Sequence, residues 1–184
     1  TANGLASNFI YDIAIDATGD KWFCTGAGVS KFDGVNWTTY TSADGLISNV
    51  VFAISVDSQG NKWFGTGAGV SKFDGTTWAT YTTINGLGSN EIWAIAVDSH
   101  DNVWFGSQGA GVSKFDGTTW STYTETDGLV SNYIRSIAFD NEGNKWFGSN
   151  GGGVSTFDDR TLTNFPINEN VTKAECISNT EVTI

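Results

Sequence analysis

The chain has 184 residues, 39% of them apolar, which is enough to bury a real core. Its formal net charge of -11, with only nine Lys and Arg scattered along the chain, argues against a nucleic-acid partner, because a phosphate-binding surface needs clustered positive charge. No window carries the apolar pattern of a long amphipathic helix or the roughly 18 apolar residues of a membrane-spanning one.

The abundance of Gly (23), Trp (8) and Phe (12), against a single Pro, suits short strands joined by glycine-bearing turns. Trp22, Trp63, Trp104 and Trp146 step by 41, 41 and 42 residues, and Gly4, Gly45, Gly86 and Gly128 step identically; the extra residue is Gln108. A period of about 40 to 45 residues is that of a propeller blade, one small sheet of four antiparallel strands. The expected fold is therefore all-β, a β-propeller of four-stranded antiparallel blades. Repeats fall at about 1–41, 42–82, 83–124 and 125–166 in a single domain or propeller fragment, with a partial fifth at 167–184. Thr1 opens in phase with the repeat, as expected of a processed or truncated chain.

The second repeat divides into strands A (50–57), B (62–66), C (69–74) and D (78–82). Turn chemistry joins them: Asp57-Ser-Gln-Gly-Asn61 between A and B, and Asp74-Gly-Thr-Thr77 between C and D. Asp16, Asp98 and Asp140 repeat Asp57; without an Asp-x-Asp-x-Asp-Gly ladder they read as turn caps, not calcium ligands. Along strand A, alternate residues place Tyr11-Ile13-Ile15, Phe52-Ile54-Val56, Trp93-Ile95-Val97 and Arg135-Ile137-Phe139 on a large face. Small residues such as Asp12, Ala53, Ala94 and Ser136 then fall on the other, so stacked blades would set large against small. After the fourth repeat the pattern shifts: Leu162 stands where Trp is expected and Pro166 is the only proline. Cys24, at the place of Gly65, Gly106 and Gly148, and Cys176 read as buried free thiols.

The words Gly45-Leu-Ile-Ser-Asn49, Asp57-x-x-Gly-Asn-Lys-Trp-Phe-Gly-Thr66, Gly69-Val-Ser-Lys-Phe-Asp-Gly75 and Trp78-x-x-Tyr-Thr82 resemble the two-component regulator propeller repeat, over about nine tenths of the chain. The resemblance implies an extracellular or periplasmic sensor propeller, often responsive to glycans, of bacterial origin. No kinase or regulator segment accompanies it. A weaker likeness, to propeller lyases that open cyclic peptides, would require a catalytic base; the single histidine, His100, sits in an A–B turn and reads as a surface residue.

In a propeller the D–A and B–C loops face one end of the channel, where ligands bind. Three residues after the loop asparagines Asn8, Asn49, Asn90 and Asn132 stand Tyr11, Phe52, Trp93 and Arg135. With Glu91 and Tyr133 they form a candidate mouth where a glycan or peptide stacks and hydrogen-bonds. The competing reading is that the aromatics are inter-blade packing and Arg135 reaches to solvent. No catalytic set or metal cluster converges, so no catalytic residue, metal or cofactor is assigned. The expected function is a non-enzymatic binding or sensing module. The alternatives are a structural surface or filament protein, a homo-oligomer whose partial fifth repeat is completed by a neighbouring subunit, and a propeller lyase.

Overall fold

The computed structural model describes residues 4–166. The partial fifth repeat and Cys176 lie outside the described residues. Sixteen strands form four sheets. The first sheet holds β1 (Ile10–Ile15), β2 (Lys21–Thr25), β3 (Gly28–Phe32) and β4 (Trp37–Tyr40). The second holds β5 (Val51–Val56), β6 (Lys62–Thr66), β7 (Val70–Phe73) and β8 (Trp78–Tyr81). The third holds β9 (Ile92–Val97), β10 (Val103–Ser107), β11 (Val112–Phe115) and β12 (Trp120–Tyr123); the fourth holds β13 (Ile134–Phe139), β14 (Lys145–Ser149), β15 (Gly153–Phe157) and β16 (Leu162–Pro166). Each sheet is an antiparallel meander in chain order, and the sheets stack in sequence through their first strands, β1 on β5, β5 on β9 and β9 on β13.

The Trp-Phe dipeptide of each second strand is the device that joins the sheets. Successive side chains of a strand point to opposite faces, so Trp22 meets Phe64 of the next sheet, Trp63 meets Phe105, and Trp104 meets Phe147, at ring separations of 6.1, 6.0 and 6.0 Å. A buried leucine from each connecting loop (Leu46, Leu87, Leu129) completes each of the three inter-sheet cores.

The repeated aspartate does more than cap its turn. Asp57 Oδ1 accepts the Asn61 N–H at 2.8 Å, while Oδ2 accepts the Trp63 indole N–H at 2.9 Å. Asp16, Asp98 and Asp140 hold Trp22, Trp104 and Trp146 through the same 2.9 Å bond. An indole buried among aromatics needs an acceptor for its N–H, and the turn carboxylate supplies it. Close approach of the next sheet accounts for the glycines at 65 and 106. A Cβ on Gly65 would lie 2.8 Å from Ile92 Cγ2, and one on Gly106 would lie 2.7 Å from Ile134 Cγ2. Cys24, which stands at the same place in the first sheet, shares its core with Val51. Cys24 is buried and free, and burial pushes its thiol well up.

The uniform alternation expected along strand A is corrected. Ile10 and Asp12 pair with the adjacent residues Thr25 and Cys24, which leaves Tyr11 as an additional residue. The same bulge recurs with Phe52 between Val51 and Ala53, Trp93 between Ile92 and Ala94, and Arg135 between Ile134 and Ser136. A bulge resets the pleat. Ile92 and Ile95 therefore both face the preceding sheet, as do Ile134 and Ile137, although the members of each pair are three positions apart. Tyr11, Phe52, Trp93 and Arg135 leave that face and turn elsewhere.

Candidate functional site

The four bulge residues meet. Tyr11, Phe52, Trp93 and Arg135 line one open cleft of about 270 Å³ along the inner edges of the four sheets, together with Asp12, Ala53, Ala94 and Ser136. Tyr11 packs edge-on to Phe52 at 5.4 Å, Phe52 lies parallel to Trp93 at 4.7 Å, and the Arg135 guanidinium lies 3.6 Å over the other side of the Trp93 ring. The ladder arises because each sheet contributes one additional residue at the same place on its first strand, and stacked sheets bring equal places together.

The packing reading is realised in part. The aromatics do pack between sheets, but at the inner edge and not in the inter-sheet cores. Trp93 has Phe52 on one face and Arg135 on the other, so neither face is free to receive a sugar ring. What the cleft offers is donors. Arg135 makes no ion pair among the described residues, and the Trp93 indole Nε1 is enclosed without an acceptor.

Glu91 and Tyr133 stand beside the cleft, not in its lining. The inserted Gln108 ties them together through the backbone. Its N–H donates to the Glu91 carbonyl at 3.1 Å, and it bridges to Tyr133. Tyr133 is half exposed at this rim. The loop asparagines are turn caps: the side-chain oxygens of Asn49, Asn90 and Asn132 accept the N–H groups of Ser42, Thr83 and Glu125 at 2.7 to 2.9 Å.

One functional side chain escaped the sequence reading. Asp12 Oδ1 accepts the N–H of Ile13 at 2.8 Å, and Oδ2 accepts the N–H of Ile54 in the next sheet at 2.9 Å. A carboxylate thus joins two inner-edge amides of adjacent sheets. Its signal was present, since Asp12 is the one acid among Ala53, Ala94 and Ser136, but alternation placed it on the small packing face.

The far ends of the first strands carry different chemistry. His100 is exposed in the turn between β9 and β10 and lines a second cleft of about 230 Å³ with Asp98, Asp140, Glu142, Lys145 and Asp159. Asp98 and Asp140 are committed there to turn amides and indoles. Burial opposes the Asp98 charge, but the Trp104 and Asn102 bonds outweigh it and lower its pKa. Among the described residues, no group of three or more His, Cys, Asp or Glu could hold a metal ion. No helix among them is long and apolar enough to cross a membrane.

Four-stranded antiparallel sheets that stack through their first strands, with divergent side chains gathered at the inner edge, define the propeller class of repeat proteins. The two-component regulator propeller model matches residues 45–68, 86–109 and 128–151, and the chain carries this repeat. Among curated proteins, none matches significantly. Among solved structures, one described as the extracellular domain of a hybrid two-component system from B. thetaiotaomicron has a TM-score of 0.77 at 25% identity, over 85% of this chain and 23% of its own. Another from the same organism, described as the extracellular domain of a one-component system, has a TM-score of 0.75 at 19% identity, over 89% and 26%. An inactive variant of virginiamycin B lyase from Staphylococcus aureus, solved with quinupristin, has a TM-score of 0.71 at 17% identity, over 90% and 59%. The chain spans about a quarter of the first two, and the fold is common to sensor domains and enzymes alike.

Proposed function

We propose that the four repeats, at about 1–41, 42–82, 83–124 and 125–166, act as one unit, a non-enzymatic binding module of extracellular or periplasmic sensor type, and that the inner-edge cleft takes a glycan or peptide ligand. One observation carries this reading: the four bulge residues differ in every repeat, and they converge on one cleft. The likeness to extracellular domains of sensor systems supports the location. His100 stands at the opposite end of β9 from Trp93, in an exposed turn, which favours binding over lyase chemistry.

The test is a screen of glycans and peptides against the chain and its Arg135→Ala and Trp93→Ala variants. A ligand retained by the parent and lost by both variants is the expected result. Unchanged binding by both removes the cleft as the site. A second reading, assembly with a neighbouring subunit, is favoured by the apolar faces at the two ends of the stack. Ile13 and Ile15 are 55% and 64% exposed on the first sheet, as is Phe165, at 52%, on the fourth. Sedimentation across a range of concentrations checks it: association is expected, and a monomer throughout counts against it.

A further inference from the structure

We infer that the cleft is a carboxylate site, and that Asp12 shows how the ligand's carboxylate is held. The inference rests on the binding reading above and names the chemistry of its ligand. On the inner edge of a sheet every second N–H lacks a ladder partner. Ile54 displays one such group, because its N–H donates to Asp12 and not to β6. Ile95 and Ile137 occupy the same register on β9 and β13, paired with Phe105 and Phe147 as Ile54 is with Phe64. Their N–H groups therefore point from the same edge, and both residues line the cleft.

What differs is the acceptor. Asp12 spans the N–H groups of Ile13 and Ile54. The residue placed to span Ile95 and Ile137 in the same way is Ala94, which has no acceptor, and Ala53 stands at the intervening position. The Arg135 guanidinium shares the cleft with this pair of residues and makes no ion pair among the described residues. A patch of unmatched donors with one cation in the same cleft selects an acceptor-only group carrying negative charge. A carboxylate fits, since its two oxygens reach two amides here as they do at Asp12, leaving lone pairs for Arg135. The covered faces of Trp93 agree: recognition proceeds through backbone donors and Arg135, not through ring stacking.

The carboxylate could belong to an acidic sugar or to a simpler acid, and three probes distinguish them. Amide and indole NMR spectra of the whole chain are followed during titration with acetate, D-glucuronate and D-glucose. Saturable shifts of the Ile95 and Ile137 amides and the Trp93 indole are expected with acetate and glucuronate, and none with glucose. Tighter binding of glucuronate than of acetate assigns the sugar source, and equal binding assigns the carboxylate alone. Arg135→Gln should weaken either acid about tenfold, the loss of one charge-assisted contact. Ala94→Asp should place an internal carboxylate on the same two amides and abolish the response. Should that variant fail to fold, Asp12→Ala gives the converse, opening the Ile54 amide to acetate. No movement of Ile95 and Ile137 with either acid overturns the inference. If a neutral glycan binds the cleft in the screen while the acids do not, the binding reading stands and the carboxylate falls; if nothing binds, both fall.

Discussion

Trp104 and Trp146 hold the same place in the same kind of sheet, and each gives its indole N–H to the aspartate six residues earlier at 2.9 Å. Trp104 is fully buried and Trp146 is 36% exposed. The difference separates what a repeat does alone from what its neighbour does for it. Turn, indole bond and strand pairing are complete within forty or so residues, whereas burial is supplied by Phe147 and Phe157 of the following sheet. Stability in such a stack is a sum of intrinsic and nearest-neighbour terms.

The widest separation of the two positions should come from deleting the rings. Trp104→Ala is expected to cost about 3–5 kcal/mol in denaturant unfolding, the range for large buried aromatics. Trp146→Ala should cost less than about 2 kcal/mol, because a third of the residue is already in water. Equal losses would mean that the sheets do not stack as described.

A smaller effect probes the fit between neighbours. Gly106→Cys copies Cys24 into an interface where the partner is Ile134, 2.7 Å from the new Cβ, and should cost about 1–3 kcal/mol by overpacking. Thermal melts check the loss, and adding Ile134→Val should restore little of it, because valine keeps the Cγ2 that the new Cβ meets. The corresponding Gly148→Cys at the fourth sheet has no such isoleucine to meet, since its nearest neighbour is Ser136 of its own sheet.

The smallest effect is acid sensitivity. Burial of Asp16 favours its neutral form, but bonds from Thr18, Trp22 and the Asp20 amide, with Lys62 nearby, hold its pKa down at about 2. A depressed carboxylate contributes stability above its unfolded value of about 3.9 and loses it as pH falls through the folded one. The melting temperature should thus be level above about pH 5 and fall between about pH 4 and about pH 2. Asp16→Asn should flatten that fall, and an unchanged acid limb would place its origin elsewhere.

Much of the fold was legible because the repeat states it four times. Strand B was expected at 62–66 and β6 runs Lys62–Thr66; strand A was expected at 50–57 and β5 runs Val51–Val56. The bulge was not seen, for a physical reason. Tyr, Phe and Trp suit a pleated strand at any phase, so alternation read straight through them. The overlooked sign is the three-residue gap between apolar partners, Ile92 to Ile95 and Ile134 to Ile137, which no unbroken strand can place on one face. For the site, sequence divergence located the four residues that share the cleft. It did not reveal Asp12, whose role depends on an amide 42 residues away, or the closed faces of Trp93. Glu91 and Tyr133 were drawn in by adjacency in sequence and belong to the rim.

A chain of near-identical repeats runs the risk of assembling in the wrong order, since any sheet resembles the proper neighbour of any other. The reach of Asp12 to Ile54 gives the first junction a bond that Ala53 and Ala94 cannot give the next two, although Ile95 and Ile137 stand in the same register as Ile54. Order then comes from the short connections between consecutive sheets, and the inner acid strengthens the first junction they form.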